Sequence, residues 1–262
     1  MAAEQGGKID PMHQFLIEPV FGRDWMLFGH SIAFTNSALW MVVTLAALWL
    51  FMLGGMRRQL VPGRWQVMVE GVTGFIHSMV TTNIGPEGRK YLPWVFTVFM
   101  FILFANLIGL MPFALVGAGQ PFTVTSQFTV TGIMAIISFA IVLIVGFWRH
   151  GFHFFSLFIP HGTPKVMLPM IFLIELLSFM VRPFSLALRL FVAMIAGHIL
   201  VEVFGSFVVQ GINAGGIGPA VSVLSFIFII GVMALEILVC AIQAYVFALL
   251  TSLYINDAVN LH

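Results

Sequence analysis

Two apolar runs, about Met167 to Val209 and about Pro219 to Tyr254, are each longer than a membrane crossing needs. An upright helix crosses the hydrocarbon core of a bilayer in about 17 to 25 residues. Runs of this length must therefore tilt, kink or lie partly in the membrane plane. Pro183 lies inside the first of them and predicts a kink, because it removes a backbone hydrogen bond and crowds the preceding turn. The rest of the chain agrees with a membrane setting: of 262 residues, 60% are hydrophobic and 8% charged, against about 25% charged in soluble domains. There is too little polar surface here to coat a water-soluble particle. The expected fold class is an all-α polytopic membrane protein, a single membrane domain over residues 1–262.

Three shorter apolar runs, 32–53, 91–112 and 128–148, predict three more spans. With the long runs, 167–209 and 219–256, they make about five membrane-embedded helices, preceded by an N-terminal outer segment, 1–31. The stretch 64–83 behaves differently. Trp65, Met68, Val69, Val72, Ile76, Met79 and Val80 follow helical spacing, while Glu70, Thr73, His77 and Thr81 fall on the other side. That pattern predicts an amphipathic helix lying at the membrane surface; a cytosolic helix packed on a partner is the alternative. "GINAGG" marks a turn between the two long runs. No secretory signal precedes the first span, and no internal repeat is visible.

Lys and Arg set the orientation. Arg57, Arg58, Arg64, Arg89 and Lys90 lie between spans one and two, and Arg149 and Lys165 between three and four, whereas the loops at 113–127 and 208–219 carry none. The N-terminus is thus expected outside and the C-terminus inside. A formal net charge of +1 gives no ground for a nucleic-acid partner, and the lone Cys240 allows no disulfide within the chain.

Titratable groups inside the spans concentrate in the last two runs: Glu175, Arg182, Arg189, His198, Glu202 and Glu236. An arginine at the bilayer centre costs about 2.5–3.5 kcal/mol on insertion scales, so a functional site is the default expectation. Glu175, Arg182 and Arg189 are seven apart and drift only about 20° per step round a helix, which makes one polar stripe with Ser178 and Ser185 close to it. Arg189 is the deepest. His198 follows about 13 Å further toward the outer loop, and Glu175 precedes it by about 21 Å on the inner side, at ~1.5 Å per residue. Glu202 shares His198's face at i+4. In the last run Glu236 and Gln243 are again seven apart, with Tyr254 near that face. Small residues such as Ala193, Gly197, Ala241 and Ala248 allow close helix approach.

Residue type then suggests chemistry. Histidine and glutamate exchange protons near neutral pH once their surroundings tune them; arginine stays charged. A fixed cation between two groups of proton carriers would attract a mobile carboxylate, favour its ionised form and block direct passage of a proton. Simpler explanations exist for each residue. Glu175 and Arg182 could form a structural ion pair, or Arg182 could extend to the inner interface. His198 could be a satisfied core histidine, and Gln243 and Asn106 interhelical hydrogen-bonding groups. His150 and His153 have neither a Cys nor an acidic residue close by, so no metal site is expected.

"RPFSLALRLFVAMIAGHIL" and "EILVCAIQAYVFALLTSLYI" closely resemble the a-subunit family of the F-type (F1Fo) ATP synthase. "DPMHQFLIEPVF" and "FANLIGLMPF" are similar to that family's N-terminal segment and second span, and the likeness covers nearly the whole chain. The histidine-then-glutamate arrangement is similar to the alphaproteobacterial and mitochondrial branch. The resemblance implies a stator subunit with two offset aqueous half-channels, against which a ring of c subunits turns. It makes Arg189 the essential arginine facing the ring's carboxylates, His198 and Glu236 the outer half-channel pair, and Glu175 the acidic residue near the inner half-channel. Gln243 matches the polar residue close to the arginine, and Ser185 the serine one turn before it. Ala193 departs from the asparagine many members carry there. The long last runs become a tilted hairpin packed against the ring.

The implied partners are the c-ring, b-type peripheral stalk subunits, other F1Fo subunits and membrane lipid. The implied location is a bacterial inner membrane or, alternatively, a mitochondrial one. No cofactor is expected, and no P-loop signature is present, so the chain is not expected to be catalytic alone. Two other functions fit the residues less closely. A secondary proton-coupled transporter would need its own substrate pocket and matched broken helices, and a passive anchor would tolerate loss of Arg189.

Overall fold

A computed structural model describes residues 15–17, 19–21, 26–27, 30–31, 33–56, 62–111, 122–158, 167–213 and 216–260. Arg57, Arg58 and Lys165 of the charge pattern, and most of the charge-free loop after span two, lie outside the described residues. The described residues form six α-helices, in order α1 (Asn36–Gly55), α2 (Arg64–Ile84), α3 (Leu92–Leu110), α4 (Phe128–His150), α5 (Leu168–Asn213) and α6 (Gly218–Val259). All but α2 are long and apolar enough to cross a membrane. The chain is an all-α polytopic membrane protein.

The helix ends have local causes. The apolar run of span one begins at Ile32, yet α1 begins at Asn36. Phe34–Thr35 is drawn into a short antiparallel strand pair with Pro19–Phe21, and the Thr35 hydroxyl accepts a hydrogen bond from the Ala38 amide at 3.4 Å, as an N-cap does. A second strand pair joins Met26–Leu27 to His30–Ser31. α2 ends at Gly85, whose φ of 88° suits glycine. It is amphipathic: Val69, Ile76, Met79, Val80 and Ile84 are buried, while Glu70 and His77 are exposed. α5 runs through Pro183 without interruption.

The chain divides into two compact units. The first comprises Met1–Thr44, Ala105–Gln127 and Phe191–Ile242. Within it α5 and α6 run antiparallel. Phe204 stacks on Phe228 at 5.4 Å, and the Ser222 hydroxyl donates to the Val208 carbonyl at 2.8 Å.

The second unit comprises Leu45–Phe104, Phe128–Leu190 and Gln243–His262. Phe154 is fully buried and meets Phe147, Phe158 and Phe179; edge-on and tilted rings of this kind are the favoured aromatic arrangement. Gly146 makes room for Phe154. The Asn83 amide donates to the Ser252 hydroxyl at 2.9 Å, tying α2 to α6. Glu87 pairs with Arg149; hydrogen bonding and attraction from that guanidinium hold the Glu87 carboxyl below the usual range.

α1 and α2 meet through a tight contact. The Trp65 indole donates to the Phe51 carbonyl at 2.9 Å, and a Cβ at Gly55 would lie 2.7 Å from the Cβ of Val69. Val69 is β-branched and stiff, so it has little freedom to give way. Gly55→Ala is expected to destabilise the helix pair by about 1–3 kcal/mol through overpacking. A lower thermal unfolding midpoint of the purified protein would show this; an unchanged midpoint would mean that α1 and α2 adjust freely.

Candidate functional site

The polar residues expected inside the spans fall into two clusters, one in each unit. In the first unit His198 projects from α5. Its Nε2 lies 2.6 Å from the Thr123 hydroxyl and 3.9 Å from Oε1 of Glu236 on α6. The ring of Phe15 packs against the imidazole at 6.3 Å. Glu236 is buried, and its Oε1 has no hydrogen-bond partner among the described residues. Gly197 is what lets that carboxyl approach: a Cβ there would lie 2.5 Å from Oε1. Glu202, one turn beyond His198, is half-buried and engaged in an interaction of its own.

Thr123 stands at the entrance to a short 3-10 turn, Val124–Ser126. This turn is wholly buried and its hydroxyls are all used. Thr125 donates to Oδ1 of Asn106 at 2.6 Å, and Ser126 donates to the Thr123 carbonyl at 2.6 Å. Gln127 donates to the Phe15 carbonyl at 3.0 Å, which seats the N-terminal segment beside His198. Burial without a partner is expensive, yet the amide nitrogen of fully buried Asn106 has none among the described residues.

In the second unit two arginines seven residues apart have different surroundings. Arg182 donates to Oδ2 of Asp257 at 2.8 Å. Its guanidinium lies between two rings, 5.3 Å from the Phe179 centroid and 5.1 Å from that of Tyr254, so charge pairing and cation–π attraction act together. The alternative of a Glu175–Arg182 ion pair is thereby overturned. Glu175 is partly exposed and makes no ion pair among the described residues. The reason is reach: Glu175 is two turns away along α5, whereas α6 brings Asp257 alongside.

Arg189 is exposed, and it makes no hydrogen bond or ion pair with the described residues. Ser185, one turn earlier, donates instead to the Arg182 carbonyl at 2.9 Å. Gln243 is partly exposed on α6 and likewise makes no hydrogen bond among the described residues. His150 meets the Val259 carbonyl at 3.1 Å, and no group of three or more metal-ligating side chains comes together among the described residues.

The sequence pattern of the ATP synthase A chain family matches residues 38–256. The chain belongs to that family. It is similar to the ATP synthase subunit a of Rhizorhabdus wittichii, 70% identical with both chains fully covered. It is 66% identical to that of Erythrobacter litoralis, again over the full length of both, and 56% identical to that of Zymomonas mobilis, over 97% of this chain and 98% of that one. As an ATP synthase A chain it is an integral membrane component of the proton-translocating F1Fo complex and is not catalytic by itself.

Sequence reasoning missed two residues of these clusters. Asp257 continues the seven-residue stripe of Glu236 and Gln243, so the spacing itself was the signal. Thr123 has no such mark, because it lies in an irregular, charge-free loop. A double-mutant cycle on this ATP synthase A chain tests the Arg182 contact. Arg182→Met and Asp257→Asn should each lower the thermal midpoint, and the double variant should cost less than their sum by about 1 kcal/mol. Strict additivity would show the two charges to be independent.

Proposed function

We propose that Arg189 is the essential cation of the proton-translocating stator, and that it faces acidic groups on a neighbouring c-ring. One observation carries the proposal: Arg189 is an exposed guanidinium, without a counter-ion among the described residues, on a helix made for the membrane. Phe184, in the same unit of α5, is exposed as well. Lipid would penalise this cation by about 2.5–3.5 kcal/mol, so an acidic partner from another subunit is the natural complement. A passing rotor carboxylate would be held ionised while opposite Arg189, and a proton could not skip from one path to the other.

His198, Glu202 and Glu236 form the outer path in this proposal, and Glu175 the inner one, with Gln243 and Ser185 as accessory polar groups. Protons enter past His198 and Glu236, neutralise a rotor carboxylate, and leave past Glu175 after nearly a full rotation. Support for the outer path is the 3.9 Å approach of a titratable ring nitrogen to a buried carboxyl oxygen lacking a hydrogen-bond partner among the described residues. That Glu175 is partly exposed and has no ion pair among the described residues supports the inner one. We also assign the c-ring and b-type stalk subunits as partners, and a bacterial inner membrane as location, since the similar proteins are bacterial. The N-terminus would lie outside and the C-terminus in the cytoplasm, because Arg64, Arg89, Lys90 and Arg149 collect on the segments joining spans one to two and three to four.

Inverted membrane vesicles supply the test. Arg189→Ala should lower ATP-driven proton pumping by roughly a hundredfold or more, about 3 kcal/mol on the barrier, while the complex still assembles. Arg189→Lys should fail too, because planar shape and permanent charge both matter. Robust pumping in either variant would refute the assignment. His198→Ala should slow pumping and change its pH dependence; unaltered rates from about pH 6 to 9 would remove His198 from the path.

A further inference from the structure

The outer cluster contains a hydroxyl that the proposed path does not use. Thr123 reaches Nε2 of His198 at 2.6 Å, the same nitrogen that lies 3.9 Å from Glu236 Oε1. One ring nitrogen carries one hydrogen at a time. When Nε2 is protonated, it donates to the Thr123 oxygen. When it is not, the Thr123 hydroxyl donates to it and the ring's hydrogen sits on Nδ1. A threonine hydroxyl serves either state without moving its heavy atom, which a carboxylate or an amide nitrogen cannot do.

Thr123 is also held in place. It is buried at 4% exposure, and its carbonyl accepts from Ser126. Its side chain fits against Gly109 of α3 so closely that a Cβ there would lie 2.8 Å from Thr123 Cβ and Cγ2. On the far side, Phe15 packs against the imidazole edge-on. The ring is therefore confined, and its nitrogen has two oxygens to choose between. Among the described residues the titratable groups near His198 are Glu236 on α6 and Glu202 on its own helix; the Val124–Ser126 turn, α3 and Phe15 bring none.

We infer that Thr123 is a positioning residue of the outer proton path, whose fixed hydroxyl holds Nε2 of His198 and turns from acceptor to donor as the ring passes its proton to Glu236. In that step Oε1 of Glu236 closes from 3.9 Å to hydrogen-bond distance and takes the Nε2 hydrogen from the Thr123 oxygen, the Nε2–H bond breaks and an O–H bond forms on the Glu236 carboxylate. The imidazolium becomes neutral with its hydrogen on Nδ1, and the Thr123 hydrogen turns to the vacated lone pair. Without the hydroxyl only Glu236 faces Nε2, the charged pair traps the proton, and release moves to higher pH. This rests on the proposed role of His198.

The test uses the whole complex, with ATP-driven pumping measured against pH. Thr123→Val, which keeps the shape and removes the hydroxyl, is expected to slow pumping about tenfold, the size of one lost hydrogen bond, and to move the rate profile to more alkaline pH. Thr123→Ser should restore both within about twofold. Adding Thr123→Val to His198→Ala should change nothing further. Wild-type rate and profile in Thr123→Val, or equal impairment in Thr123→Ser, would overturn the inference. So would failure of both Thr123→Val and Thr123→Ala to assemble, which would make Thr123 a packing residue. If His198→Ala itself pumps normally, the underlying reading fails instead.

Discussion

A guanidinium without a counter-ion among the described residues, on a membrane-length helix, is the constraint on which the rest of this molecule depends. Arginine does not deprotonate to escape an apolar setting. Its charge must be met by a neighbouring group, by water, or by another protein. Arg182 shows the internal solution, with one carboxylate and two aromatic rings around the cation. Arg189, seven residues on, has none of these among the described residues. Two identical side chains on one helix thus serve opposite ends: one ties α5 to α6, and the other leaves its charge available.

The length of α5 and α6 follows from the same need. A helix of 46 residues exceeds an upright crossing of about 17–25 residues. The surplus lets α5 carry Glu175, Arg182 and Arg189 in one unit and His198 and Glu202 in the other. α6, antiparallel to α5 in each unit, then supplies the matching partners Glu236 and Asp257. Continuous helices suit this task because they satisfy their own backbone groups in lipid and leave side chains free to specify the chemistry.

Much of the fold was legible because a bilayer imposes length and hydropathy directly on sequence. The five apolar helices and the amphipathic α2 follow from run length and period alone. What was not legible depends on competition or on long-range contact. The start of α1 is set by strand pairing at Phe34–Thr35 and the Thr35 cap, against an apolar run that begins earlier. Arg182 could be assigned to Glu175 by spacing on one helix, but not to Asp257 without knowing the register of α6. Thr123 belongs to a turn with no period, so its meeting with His198 depends wholly on tertiary placement. His198 and Glu236 stood out because each is costly where it is found; a buried hydroxyl is cheaper and gives no such signal.

Glycine has a particular place in these polar contacts. In many membrane helices small residues bring backbones together for apolar packing, and Gly55 against Val69 is of that kind. In the first unit, however, the glycines that would collide with a neighbour if given a Cβ collide with polar side chains: Gly197 with Glu236, Gly109 with Thr123 and Gly211 with Ser222. A carboxyl or hydroxyl between helices needs both space and shelter from lipid, and a missing side chain provides both at once. Larger residues at 109 and 197 would push Thr123 and Glu236 away from His198 while leaving each side chain's own chemistry unchanged. The chemistry of this cluster is therefore set by residues with no chemistry of their own, and it reads in the sequence as two glycines among many.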